Sequence, residues 1–175
     1  APHSLQLDGS MTTTELFEGV PAPLASAMQR RGFSTLTAVQ RAVLEAECEG
    51  RDLRISSQTG SGKTVALGIA LARQFIAAPT HGPGTGPSGL IIVPTRELAA
   101  QVREELRWLY EEIPALRVEV VTGGMDLWRE RKLLAQKPGL VVGTPGRMLD
   151  HIRNGALDCS QVEHVVLDEV PARGV

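Results

Sequence analysis

The sequence has few aromatic residues, little net charge, few cysteines and no long apolar run. Aromatic side chains make up 3% of its 175 residues, which excludes the broad base-stacking surface that single-strand-binding proteins use. Its 18 basic and 20 acidic residues give a formal net charge of -2, which excludes a general basic field for nucleic acid or for an anionic membrane. Any binding of phosphate must therefore be local.

Cysteine content and hydropathy indicate the compartment. Cys48 and Cys159 lie far apart and match no metal-ligand spacing, which favours a reduced intracellular protein. No stretch predicts a membrane span or a signal peptide, so we expect a soluble, cytoplasmic protein. Residues 1–10 are expected to be an expression-tag remnant, because Gly9-Ser10-Met11 resembles a cloning scar followed by a natural start.

The chain does contain a regular alternation of helices and apolar strands. Helices are predicted at 21–32, 39–46, 63–77, 96–111, 126–136 and 145–153, and strands at 52–56, 90–93, 117–121, 140–142 and 164–167. Apolar strands separated by helices predict an α/β fold with a mostly parallel sheet covered by helices on both faces. Residues 11–169 are expected to form one domain, with an exposed Pro/Gly-rich loop at 78–89.

The most specific motif is a phosphate loop. Between a predicted strand and a predicted helix, the chain reads Ser57-Gln58-Thr59-Gly60-Ser61-Gly62-Lys63-Thr64. The glycines allow backbone N–H groups to point into one concavity, which the helix N-terminus also faces. Lys63 is expected to reach the β and γ phosphates, and the Thr64 hydroxyl to bind Mg2+. The alternative is a Gly/Ser-rich loop that binds no phosphate.

A second candidate site, formed by two acidic residues, follows the predicted strand at 164–167. Asp168 and Glu169 come directly after that strand, which we expect to be buried. This position is typical of the carboxylate that holds Mg2+ opposite a phosphate loop, and Glu169 is expected to orient or deprotonate an attacking water. The alternative is a solvated strand edge with no catalytic role.

Together these residues resemble the N-terminal RecA-like domain of DEAD-box ATP-dependent RNA helicases. The resemblance covers nearly all of residues 17–169 and includes several motifs in the family's order. The Q motif corresponds to 32–40, with Leu36 and Ala38 where the family usually has prolines. The remaining matches are the family's form of the phosphate loop at 57–64, PTREL at 94–98, GG at 123–124 and TPGR at 144–147.

The resemblance implies an RNA helicase that uses ATP and Mg2+. It gives Gln40 a role in recognising adenine, for which an amide that both donates and accepts is suited, and it makes Phe17 the aromatic that stacks on the base. The alternatives are a helix-surface amide and a packing contact. The implied contacts with the RNA backbone are Pro94, Thr95, Arg96, Gly123, Gly124, Thr144, Pro145, Gly146 and Arg147. The alternatives there are a helix-initiating turn and a helix cap.

The chain departs from the family pattern at its end. The family continues with Ala-Asp after Asp168-Glu169, whereas this sequence has Val170-Pro171 and stops at Val175. We therefore expect 170–175 to be a non-native tail, the second RecA-like domain to be absent, and the chain to be a monomer that binds nucleotide weakly without unwinding RNA. The rival hypotheses are a nucleotide-independent RNA or protein interaction module, and a small-molecule kinase.

Overall fold

A computed structural model describes residues 12–46, 53, 55, 62–77 and 86–168 of the chain. Most of the predicted strand at 52–56 and most of the predicted loop at 78–89 lie outside these residues. Within the described ranges, no helix combines the length and the apolar composition that a membrane crossing requires.

The six predicted helices are confirmed with small shifts of their ends, and two short ones are added. The α-helices are α1 (Thr13–Leu16), α2 (Ala22–Arg30), α3 (Ala38–Glu45), α4 (Lys63–Ala77), α5 (Arg96–Leu109), α6 (Leu127–Ala135) and α7 (Pro145–Arg153), with a 3-10 turn at Pro114–Leu116. The sequence analysis did not predict α1 or the 3-10 turn, because each is shorter than the window over which helical periodicity can be recognised.

Four parallel strands form the described sheet. They are β1 (Gly89–Ile92), β2 (Val118–Val121), β3 (Leu140–Gly143) and β4 (His164–Leu167), in the order β2-β3-β1-β4. Successive residues of the strands contribute to two separate apolar clusters: Ile91 packs with α2, α4 and α5, whereas Leu90 packs with residues of α6 and α7. The predicted α/β fold, with a parallel sheet between helices, is therefore confirmed.

One detail of the predicted sheet is wrong. We expected β4 to be a buried apolar strand, but Val165 and Leu167 are 59% and 65% exposed. The physical reason is that successive side chains of a strand point to opposite faces of the sheet: Val166 packs against the main apolar cluster, whereas Val165 and Leu167 share the other face and join neither apolar cluster of the described residues. Alternate side chains of β4 thus face outward, while Asp168, just beyond its end, is buried.

Helices α4 and α5 pack closely because Gly68 has no side chain. A Cβ at Gly68 would lie 2.5 Å from a Leu109 methyl group, and the Tyr110 hydroxyl donates to the Gly68 carbonyl at 2.6 Å. Burial raises the pKa of Tyr110 above its ordinary value, since the phenolate would lose its hydration. This contact fixes the helix that begins at Lys63 against the helix that begins at Arg96.

Candidate functional site

Several predicted site residues lie at one edge of the sheet, the edge formed by the carboxyl-terminal ends of its strands. Its strands are parallel, and Ile92 of β1 is level with Gly143 of β3 and with Leu167 of β4. The segments that follow the strands therefore leave the sheet at the same edge, which is where ligands bind in open α/β folds. The four segments begin at Val93, Thr122, Thr144 and Asp168, and they carry or adjoin the predicted motifs.

Lys63 and Asp168 meet at this edge. Lys63 is the first residue of α4 and Asp168 follows β4, and the Lys63 Nζ lies 2.6 Å from the Asp168 Oδ1. The carboxylate is buried and the lysine is half-buried, so the ion pair is largely shielded from solvent. The structure thus brings together the two charged groups that the sequence assigned to phosphate and to metal.

The other predicted groups of the nucleotide site are only partly described. Thr64 occupies the second position of α4, with its side chain half-buried. Hydroxyl and carboxylate oxygens are the ligands that Mg2+ prefers, so Thr64 and Asp168 fit such an ion chemically. In the described part of the chain, no group of three or more His, Cys, Asp or Glu side chains forms a metal site. Residues 57–61 and Glu169 lie outside the described residues.

Gln40 contacts the end of the phosphate loop. Its Nε2 donates to the Gly62 carbonyl at 3.3 Å, and its Oε1 accepts from the Thr37 N–H at 3.0 Å. The side chain is fully buried and completes the N-terminal capping box of α3. Gln40 is therefore not a helix-surface amide, because its buried side chain links α3 to Gly62. Recognition of adenine by Gln40 stays a prediction.

Gly62 is required by this arrangement. Its φ is +82°, a backbone conformation that side-chain-bearing residues rarely adopt, and a Cβ there would lie 2.5 Å from the Gln40 Nε2. The loop can therefore approach α3 only with glycine at this position.

Phe17 lies in the main apolar cluster. It is 1% exposed and packs with buried residues of the helices, including Leu24 and Met28. The structure favours the interpretation of Phe17 as a packing contact, because a ring with so little exposed surface offers no face to a base. Its stacking on adenine stays a prediction.

Two arginines flank the pair of glycines after β2. Gly123 has a φ of +79°, and a Cβ there would lie 3.4 Å from the Arg147 Nη2; a Cβ at Gly124 would lie 2.5 Å from the Arg96 Nη1. Gly123, Gly124 and Arg96 are exposed. Three separate motifs thus converge on one surface that presents backbone groups and two guanidinium groups, a combination suited to phosphate.

The two predicted threonine contacts differ in what their hydroxyl groups do. Thr95 is the N-cap of α5, and its Oγ1 accepts from the Leu98 N–H at 3.2 Å. Thr144 is the N-cap of α7 but makes no such side-chain bond. The helix-initiating interpretation of 94–97 therefore holds for Thr95, whose hydroxyl proton still remains available for donation. Pro94, Pro145 and Gly146 are exposed beside these caps.

A buried carboxylate, which the sequence analysis did not identify, supports this surface. Glu130 of α6 is 1% exposed, and it accepts from the Thr122 N–H at 2.8 Å, from the Arg147 Nη1 at 3.2 Å and from the His151 Nε2 at 2.9 Å. It therefore joins the loop after β2 to α7. The available signal was its position four residues before Leu134, which places a charge on the buried side of α6.

Comparisons with known proteins agree with this geometry. A family model described as DEAD/DEAH box helicase matches residues 37–172. DEAD-box ATP-dependent RNA helicase 9, mitochondrial, of Arabidopsis thaliana is 40% identical over 152 residues, which cover 86% of this chain and 24% of that protein. ATP-dependent RNA helicase DbpA of Escherichia coli (strain K12) is 35% identical over 159 residues, which cover 91% of this chain and 34% of that protein.

A solved structure is similar as well. The crystal structure of the yeast DEAD-box splicing factor Prp28 matches with a TM-score of 0.73 and 31% identity, over 83% of this chain and 35% of that one. The chain thus spans about a quarter to a third of the length of these three relatives.

Proposed function

The chain belongs to the DEAD/DEAH box helicase family, and we propose that it is the ATP-binding lobe of an ATP-dependent RNA helicase. For the whole protein, we propose RNA-stimulated hydrolysis of ATP coupled to local separation of RNA strands. The chain covers 24% and 34% of the two helicase sequences compared above, so for the chain alone we propose weak nucleotide binding without unwinding.

The ion pair between Lys63 and Asp168 is the observation that carries this proposal. The pair is held at 2.6 Å by the start of α4 and the end of β4. A polyphosphate would take over the lysine, and a cation would take over the carboxylate, so both charges would keep a partner when Mg-nucleotide binds. Because this exchange breaks an existing shielded pair, it offsets part of the free energy that the phosphate contact contributes, which supports weak affinity.

The residues of the proposed nucleotide site then have distinct roles in the proposed reaction. Lys63 would stabilise charge on the phosphates, Thr64 and Asp168 would hold Mg2+, and Glu169 would orient the water that attacks the γ-phosphorus. When bound, Mg2+ neutralises charge on the phosphate oxygens. Ser57, Gln58, Thr59, Gly60, Ser61 and Gly62 complete the proposed phosphate cradle.

We propose that RNA binds along the segments that follow β1, β2 and β3. Arg96 and Arg147, on either side of Gly123 and Gly124, support this role because guanidinium groups and exposed backbone N–H groups bind phosphate without selecting a base. Such a surface would hold RNA despite the chain's net charge of -2. A monomeric state and a cytoplasmic location stay predictions from the sequence.

A titration with fluorescent ADP tests the proposal. We expect Lys63→Ala to weaken binding at least tenfold, because a charge-assisted hydrogen bond contributes about 1.5–3 kcal/mol. Lys137→Asn is the matched control: it removes one lysine charge at an exposed position, and asparagine tolerates the φ of 53° there. Urea unfolding of both variants measures whether the domain stays folded, because Lys63→Ala leaves the buried Asp168 carboxylate without its ion-pair partner.

Equal affinity of wild type and a folded Lys63→Ala variant would overturn the nucleotide site. If RNA binding were at the same time salt-dependent but indifferent to nucleotide and to Lys63, the chain would instead be a nucleotide-independent interaction module.

A further inference from the structure

A tryptophan is exposed four residues after Gly124, beside the proposed RNA-binding surface formed by Gly123, Gly124, Arg96 and Arg147. Trp128, in the first turn of α6, is 59% exposed, and the neighbouring Met125 and Leu127 are also exposed. We call these three residues the α6 platform. The other tryptophan, Trp108, is half-buried, with its ring centroid 5.4 Å from that of Phe33. Among the described residues, the Trp128 indole packs on no other ring, and an exposed indole this close to the glycines suggests a ligand with a flat apolar face.

The surroundings of Trp128 are basic. The Lys132 Nζ lies 3.7 Å from the centroid of the Trp128 ring, a cation–π contact that occupies one face of the indole. Arg129 and Arg131 are also exposed on α6. The acidic Glu130 points inward to Arg147 and His151, so the outward charge of this helix is positive, in contrast to the chain as a whole.

The position of the platform favours RNA over a protein partner. Met125 directly follows Gly124, and the Asp126 carboxylate is engaged in accepting from the Trp128 N–H at 3.1 Å. A strand of RNA whose phosphates contact Gly123 and Gly124 would pass beside the first turn of α6, which begins three residues after Gly124 and carries the indole. The positive charge around the ring complements the phosphates on either side of that base.

We propose that Trp128 stacks on a base of single-stranded RNA, with Lys132 on the opposite face of the ring. This inference rests on the proposed function, because the RNA backbone must be held at the adjacent glycines. Stacking requires only a π face and therefore tolerates every base. Stacking on Trp128 would add a contact with a base to a surface whose other proposed contacts are with the RNA backbone alone.

Fluorescence anisotropy with two labelled ligands tests the proposal. The ligands are a ten-nucleotide oligouridylate and an abasic ribose-phosphate chain of the same length and charge. We expect Trp128→Ala to weaken binding of the oligouridylate roughly fivefold or more and to leave binding of the abasic chain unchanged. Trp128→Phe should retain most of the affinity, and Ile76→Ala, an exposed apolar truncation on α4, should match wild type with both ligands.

The outcomes separate this inference from the proposed function. If Trp128→Ala binds the oligouridylate as tightly as wild type, or weakens both ligands equally, the stacking proposal is wrong. In that case Arg96→Ala, by weakening both ligands, would still support backbone binding. If wild type binds neither ligand, both proposals fail. If Trp128→Ala leaves RNA binding unchanged and only reduces self-association of the concentrated protein in sedimentation, the α6 platform is a protein contact and the stacking proposal is likewise overturned.

Discussion

Removal of the buried Glu130 carboxylate should destabilise the domain strongly. Glu130→Ala deletes the acceptor of three hydrogen bonds, from the Thr122 N–H, the Arg147 guanidinium and the His151 imidazole. A backbone donor contributes about 1 kcal/mol, and breaking a buried ion pair costs about 3–5 kcal/mol. Because the Arg147 side chain is 21% exposed and can regain water, we expect a loss of about 3 kcal/mol in the free energy of unfolding.

The measurement is urea unfolding followed by circular dichroism. A loss of this size corresponds to a fall in melting temperature of about 6–12 °C for a domain of this length. Glu105→Ala is the matched control: it removes an exposed glutamate from α5, and its effect should stay within about 0.5 kcal/mol. Glu130→Gln should lie between the two, since an amide keeps one acceptor but turns its second group into a donor that faces other donors.

A particular result would refute this reasoning. If Glu130→Ala lowered the free energy of unfolding by less than about 1 kcal/mol at an unchanged m-value, the Glu130 cluster would not be a buried, paired unit. If Glu130→Gln were as stable as wild type, the charge on the carboxylate would be irrelevant, and a hydrogen-bonding role alone would remain.

Two further predictions concern backbone conformation and pH. Gly62→Ala should lower the free energy of unfolding by about 1–2 kcal/mol and weaken binding of fluorescent ADP, because of its φ of +82° and the nearby Gln40 amide. Urea unfolding and nucleotide titration measure the two effects. The control is Gly146→Ala, where a Cβ meets nothing within 4 Å, and it should change neither the free energy of unfolding nor the affinity for ADP. Because burial raises the pKa of Tyr110, only the unfolded chain ionises this phenol just above pH 10, so stability falls there. Wild type should lose about 1.4 kcal/mol more between pH 9 and pH 11 than Tyr110→Phe does in urea unfolding, and equal losses would contradict the burial.

The sequence was sufficient for those parts of the fold that depend on local pattern. Strand β3 is buried throughout and β1 is buried except at its last residue, Ile92, and the long apolar pattern of α4 was predicted with its observed bounds. Local pattern also located the motifs at the ends of strands. The meeting of Lys63 and Asp168 agrees with the prediction that the carboxylate after β4 lies opposite the phosphate loop.

The sequence was insufficient where a polar side chain occupies a buried position. In α7 the buried side is formed by Met148 and His151, whereas Leu149 and Ile152 are 42% and 41% exposed. Apolar periodicity therefore marks the outward side of this helix. His151 is tolerated inside because Glu130, from another helix, meets its Nε2, and no pattern within one helix encodes a partner on the next.

The arrangement of strands also constrains how the two proposed sites can influence each other. Neighbouring strands lie about 4.8 Å apart, and β4 is next to β1, so the end of β4 is one strand from the segment that carries Arg96. The glycines after β2 are two strands further away. The shortest physical connection is then the contact of α4 with α5, which begin at Lys63 and Arg96 and are held together at Gly68. We therefore expect any response of the proposed RNA-binding surface to nucleotide, within this chain, to be larger at Arg96 than at Trp128.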